Sequence, residues 1–315
     1  MISIYYLNFK NNGINYLAGL DYCTCSTKTQ QLYRGESKNE LENKQTQNTN
    51  VFQRLAVIVP FRDRFEELTE FVPHMHRFLL NQGIMHDIFI VNQNDDYRFN
   101  RASLINAGFL HISSLKKFDY IVMHDVDLLP VNPELKYVNP GDGSALHIAS
   151  PKLHPKYHYE KFVGGILILT VNDFRKLNGL SNKYWGWGLE DDEFYLRMKQ
   201  GGVAHTRWKK AVTGLNDISY HIKSITSTDP SSVGKRIYFL CDGRKPVSRH
   251  RKMKTGLYFV SFSVIGQVRR CTAGSPVAVP QIDLYCLTKI SPLCVQIPTA
   301  RKHEKRLKIE KKKRR

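Results

Sequence analysis

The sequence predicts an α/β fold in which a mostly parallel central sheet is flanked by helices. Three observations carry this reading. Short continuous apolar runs of strand length, LAVIV at 55–59, DIFIV at 87–91 and FDYIVM at 118–123, have the composition of strands covered on both faces. Segments with helical apolar spacing lie between them. Strand, helix, strand, helix, strand in that order implies parallel pairing with right-handed crossovers.

The elements follow in chain order. Residues 1–50 read as an amino-terminal segment and flexible linker, because STKTQQLYRGESKNELENKQTQNTN at 26–50 has almost no large apolar group to offset the entropy of ordering. The globular part is expected from Val51. Leu55 to Val59 is the first strand, and Pro60 ends it. Glu66 to Gly83 places Leu68, Phe71, Met75, Phe78 and Leu79 on one side of a helix. Asp87 to Val91 is the next strand, Ala102 to Ile112 the next helix, and Phe118 to Met123 a third strand. Ala145 to Ala149 and Ile166 to Val171 extend the sheet. An acidic run after Gly188 enters a helix that Gly201 and Gly202 stop, and its carboxylates suit the helix dipole. Beyond about residue 225 only Gly256 to Ile265 and Val277 to Leu287 are strand-like.

With 315 residues, 42% of them apolar, the chain can bury one large core. The formal charge is +19 and uneven: Arg301 to Arg315 carries ten Lys or Arg against two Glu. That tail has no Phe, Tyr or Trp to stack on bases, so no nucleic-acid partner is expected. No segment approaches the roughly 20 apolar residues that span a bilayer, and MISIYYLNFKNNG does not read as a signal peptide. Cys286 and Cys294 flank a short loop that a disulfide could close; nothing in the spacing decides it.

The chemistry gathers where the strands end. Ligands of such sheets lie at the carboxyl ends of strands, where Arg62, Asn92 and Asp125 fall. In His124-Asp125-Val126-Asp127, extended-chain alternation would point both carboxylates the same way, poised for a hard divalent cation completed by phosphate oxygens. Pro60-Phe61-Arg62-Asp63-Arg64 and Phe99-Asn100-Arg101 offer guanidinium forks for phosphate and aromatics for a base; surface salt bridges are the alternative. His74-Met75-His76 reads as structural, since helix positions i and i+2 diverge. KYWGWGLEDDE at 183–193 combines aromatic faces with four carboxylates. A sugar has an apolar ring face and a hydroxyl rim, which Trp185, Trp187 and Glu190 to Asp192 would match, with one carboxylate as general base. Core tryptophans beside an acidic helix start would give the same string.

In this order PFRDR, FNRASLINAGF, HDVDLLP, YHYEKFVGGILIL and NKYWGWGLEDDEFYLRM resemble the β-1,4-galactosyltransferase family, and in particular its xylosylprotein branch, over roughly residues 54–223. A weaker likeness returns at Thr255 to Cys294. The resemblance implies a GT-A nucleotide-sugar transferase fold, with a catalytic core at 51–225, a partly divergent remainder at 226–300 and a basic tail at 301–315. It further implies UDP-galactose as donor, Mn²⁺ as cofactor, a xylosylated core protein as acceptor, and inversion by direct displacement. Pro60, Phe61, Arg62, Asp63, Arg64, Phe99, Asn100, Arg101, Val126, Asp127, Tyr157 and Trp187 would then serve the donor. Leu189, Glu190, Asp191 and Asp192 would meet the acceptor, with Asp191 as the catalytic base. Asp127 and His221 would hold the metal. Where the xylosylprotein branch has a His-x-His pair, this chain reads His221-Ile222-Lys223, so a catalytically impaired relative that binds nucleotide or glycan is the alternative. The family resides on the lumenal side of the Golgi apparatus through an amino-terminal membrane anchor, and this chain begins without one.

Overall fold

The computed structural model describes residues 53–149, 159–186, 188–207, 218–220, 253, 255–272 and 275–285. The first apolar run becomes β1 (Arg54–Phe61), with every residue after Arg54 buried. Its two faces feed two cores. Leu55, Val57 and Val59 pack with Phe71, Val72, Met75 and Leu79 of helix α1 (Phe65–Asn81). Ala56 and Ile58 point the other way, toward helix α2 (Arg101–Leu115). Period-two alternation across a doubly covered strand produces this division.

Strand β2 (Met85–Gln93) leads into α2, which Asn100 caps by accepting a hydrogen bond from the Ser103 amide at 2.9 Å. Gly108 lets α2 sit tight against β2: a Cβ there would lie 2.6 Å from Cγ2 of Val91. Strand β3 (Tyr120–His124) is wholly buried. The short β4 (Leu128–Pro130), β5 (Ser144–His147) and β6 (Ile166–Thr170) follow, then helices α3 (Val171–Lys176) and α4 (Glu190–Gln200). The remaining elements are β7 (Ala204–Arg207), β8 (Ile218–Tyr220), a 3-10 turn (Leu257–Phe259), β9 (Phe262–Thr272) and β10 (Ser275–Leu284).

Eight strands form one sheet in the order β7-β5-β6-β3-β1-β2-β10-β9, while β4 pairs with β8 separately. The run β3-β1-β2-β10 is parallel, as is β5 with β7. The pairs β3/β6, β5/β6 and β9/β10 are antiparallel, so the sheet is mixed and its parallel centre is narrower than expected. The cause is visible in the connections. A parallel neighbour needs a crossover, and among the described residues no helix lies between β3 and β6 to supply one. The parallel centre places the ends of β1, β2 and β3 and the start of α2 together on one edge. Among the described residues no helix is long and apolar enough to cross a membrane.

Candidate active site

Arg101, the first residue of α2, forms the centre of that edge. Its Nε donates to Oδ1 of Asp125 at 2.7 Å, and its Nη1 lies 3.8 Å from Oε1 of Glu190, the first residue of α4. Burial disfavours its charge, but Asp125 and Glu190 outweigh that and hold its pKa above the ordinary value. One guanidinium therefore joins the end of β3 to the acidic run.

The run begins after Leu189, whose φ of 76° turns the chain through the left-handed region. Glu190 is buried; its carboxyl pKa is raised by burial against the pull of Arg101, and Oε2 has no hydrogen-bond partner. Asp191 follows, with Oδ1 accepting from the Asp192 amide at 3.0 Å. Burial, then the negative charges of Glu190 and Asp192, push its pKa up to about 8, with Arg101 opposing. Its Oδ2 lies where Gly164 leaves room, for a Cβ at Gly164 would fall 2.7 Å from that oxygen. Asp192 is also raised by burial, though the Tyr159 hydroxyl donates to it and Lys161 attracts it. Glu193 turns away into a buried ion pair with Arg197, Oε2 to Nε 2.8 Å.

On the donor side the predicted residues have divided roles. Arg62 donates to the carbonyls of Gln93, Asp95 and Tyr97, at 3.4, 3.0 and 2.7 Å, and lies over the Phe99 ring. It fixes the loop between β2 and α2. Arg64 pairs with Glu67 at 3.0 Å, and Asp63, between the two arginines, adopts a φ of 55°. Pro60 and Phe61 are buried at the end of β1, with Phe61 edge-on to the exposed Phe65. Asn100 is wholly buried as the cap of α2, and Asn92 turns toward Gln281 of β10 at 2.6 Å.

The alternation expected for Asp125 and Asp127 does not occur. The strand ends at His124 and the chain turns, with the Leu128 amide donating to the Asp125 carbonyl at 3.4 Å. Asp125 is held by Arg101, Val126 enters the core, and Asp127 stands half-buried in the turn. Trp185 is likewise corrected: it is 4% exposed, in the core, edge-on to Tyr97 at 5.8 Å, because the loop turns it inward. Tyr157, Trp187, His221 and Lys223 lie outside the described residues, as do Cys286 and Cys294. His74 and His76 do not converge: His74 Nε2 is 2.6 Å from the Pro130 carbonyl, and His76 Nδ1 is 2.8 Å from His86 Nε2. Sequence reasoning missed Tyr159 and Gly164 as individuals, although both stand within YHYEKFVGGILIL.

Among the described residues no three His, Cys, Asp or Glu side chains gather as a metal cluster. A cavity of about 570 Å³ opens at the other end of the sheet, lined by Lys116, Asp119, Asp142 and Arg175, remote from every residue above.

Residues 22–139 match the N-terminal region of glycosyl transferase group 7, and residues 144–222 match the N-terminal domain of galactosyltransferase. Beta-1,4-galactosyltransferase 7 of Drosophila melanogaster is 48% identical over 241 residues, 76% of this chain and 72% of that protein. The chain belongs to the β-1,4-galactosyltransferase family. Xylosylprotein 4-beta-galactosyltransferase of Caenorhabditis elegans is 47% identical over 246 residues, covering 77% of this chain and 82% of its own. A mutant of the Drosophila β-1,4-galactosyltransferase 7, solved in complex with manganese, UDP-Gal and xylobiose, superposes with a TM-score of 0.68 at 46% identity, over 77% of this chain and 99% of that one. The GT-A architecture expected from the motifs is borne out by this likeness.

Proposed function

We propose that this β-1,4-galactosyltransferase family member moves galactose from UDP-galactose to a xylose carried by a protein, with inversion, and that Asp191 is the base. The observation that carries the reading is the pair Glu190 and Asp191. One offers a buried, unpartnered oxygen and the other a carboxyl with a raised pKa, side by side at the sheet edge where the donor motifs converge.

In this reading an acceptor hydroxyl donates to Oε2 of Glu190, which orients the sugar. The Asp191 carboxylate takes the proton from the attacking hydroxyl while its oxygen bonds to the anomeric carbon of galactose. The bond from that carbon to the diphosphate breaks on the opposite side, and its electron pair leaves with UDP. Arg101 holds Glu190 and Asp125 in register across the two sugars. A carboxylate from Asp127 and an imidazole from His221 would be the protein's ligands to Mn²⁺, and their chemistry suits that ion; Asp127 stands half-buried in the turn after β3. When bound, the metal neutralises charge that develops on the departing diphosphate. Two expectations belong to the same reading: a catalytic core at 51–225 extended by 226–300, and residence in the Golgi lumen.

Lys223 at the place of the second histidine supports one other reading, a relative that binds donor or glycan without transfer, because a protonated lysine cannot ligate. Galactose transfer to a xylose-terminated acceptor, measured with and without Mn²⁺, separates the two. The enzyme reading expects Mn²⁺-dependent product that Asp191→Asn abolishes. Folded protein without product favours the second reading, and restoration by Lys223→His would locate the fault.

A further inference from the structure

We infer that Asn182 is a positioning residue for transfer, keying the segment that bears the acceptor carboxylates to the start of α2; this rests on the galactosyltransferase reading above. Three parts of the chain meet here: the loop and helix at 93–106, the segment 180–186 that leads to Glu190, and residues 255–258. Asn182, in the second, bonds to the other two. Its Oδ1 accepts from Nδ2 of Asn106 on α2 at 2.7 Å, with the Ser103 hydroxyl at 3.4 Å. Its Nδ2 donates to the Gly256 carbonyl at 2.8 Å, and its own carbonyl accepts from Nδ2 of Asn100 at 3.0 Å.

The chain of bonds continues on the donor side. The Asn100 amide donates to Oε1 of Gln93 at 2.9 Å, and Nε2 of Gln93 donates to Oδ1 of Asp95 at 2.8 Å, the residue that Arg62 also holds. On the acceptor side Asn106 closes a second bond pair with Leu180, donating to its carbonyl at 2.7 Å and accepting from its amide at 2.9 Å. Arg101 stands one residue beyond Asn100, and Glu190 eight beyond Asn182. The 3.8 Å approach of Arg101 to Glu190 therefore depends on how the segment from Leu180 is registered against α2, which Asn182 helps to set together with Asn106 and the Gly186 amide, a donor to the Phe99 carbonyl at 2.7 Å. Displacements on the order of 1 Å in such a frame cost about 10²-fold in rate.

Two variants separate positioning from mere support. Asn182→Asp keeps the oxygen that Asn106 donates to but sets a carboxylate oxygen against the Gly256 carbonyl in place of the donor. Asn182→Ala loses both. We expect Asn182→Ala to lower kcat/KM for the xylose acceptor about 10–100-fold with affinity for UDP and Mn²⁺ unchanged within about twofold, and Asn182→Asp to stay within about threefold despite a lower Tm. Asn106→Asp removes the donor to Asn182 together with the one to the Leu180 carbonyl, and should lower acceptor kcat/KM at least as far if Asn182→Ala does not fold. Activity that tracks Tm in all three, or an unchanged acceptor kcat/KM in Asn182→Ala, overturns the inference. If the wild-type chain transfers nothing, the functional reading fails by itself, and Asn182 is judged by amide hydrogen exchange over 183–193. Faster exchange in Asn182→Ala but not in Asn182→Asp supports it, and equal exchange in both sinks it.

Discussion

Glu190 and Glu193 stand one helical turn apart in a single acidic run, yet the fold treats them in opposite ways. Glu193 is 2% exposed and fully matched: Arg197 binds it, and the same guanidinium reaches the carbonyls of Leu177, Asn178 and Gly179. Glu190 is also buried, but one of its oxygens has no partner and the guanidinium beside it is shared with Asp125. A buried carboxylate that is paired is a fastener; one left short of partners keeps its bonding capacity for something that arrives. Four adjacent acids thus divide into three that face the site and one that anchors the helix that presents them.

The largest effect should come from the side facing the site. Asp191→Asn is expected to reduce transfer by about 10²–10⁴-fold. It should also reveal the cost of that carboxyl. With a folded pKa of about 8 against an ordinary 3.8, the native state holds the proton more tightly, so the group's contribution to stability is lost as pH rises from about 4 through 8. The Tm of Asp191→Asn relative to wild type should therefore climb between pH 5 and pH 8 and then level off. Because only the ionised form is a base, wild-type kcat/KM should rise with pH through an inflection near 8. A flat profile would remove Asp191 from that role.

Glu193→Ala tests the other half of the comparison. Removing one partner of a buried pair costs about 3–5 kcal/mol, which thermal unfolding would show as a fall of roughly 10 °C or more. Gly164→Ala comes next: a methyl there meets Oδ2 of Asp191 and the buried Phe162 ring, so acceptor kcat/KM should fall about tenfold or more, with Tm lowered by several degrees. The smallest effect is expected from Glu190→Gln, which keeps the shape and drops a charge that burial opposes. Its Tm should hold or rise slightly while acceptor KM increases several-fold. A large stability loss in Glu190→Gln would erase the distinction between the two glutamates.

Much of the frame was legible because burial on both faces writes itself as unbroken apolar runs. Strands β1, β2 and β3 and helices α1 and α2 appear within a few residues of their expected bounds. Direction was not legible for β5 and β6, since apolar content is the same whichever way a strand runs. Nor was β7, whose AHTR alternates without any large apolar residue. At the site, the motifs located the acidic run, but which acid pairs inward depends on Arg197, four residues on and equally able to face water in sequence alone. Trp185 misleads for the same reason, since an indole suits a core as well as a sugar, and the loop carbonyls that Arg62 holds were not legible because a guanidinium fork suits them as well as phosphate.

The place of β10 in the sheet has a consequence for the order of assembly. Residues 275–284 lie between β2 and β9, pairing with Phe89, Asn92 and Gln93, whose sequence positions are nearly two hundred residues earlier. A nascent chain can gather β1, β2 and β3 early, yet it leaves one edge of that parallel centre open until residues 275–284 have been made. Closing so long a loop is slow, and an open edge is where chains associate wrongly in the meantime. Asp95 accepts from the Leu284 amide at that same late step, so the loop that carries Phe99 to Arg101 is completed by a strand made nearly two hundred residues later.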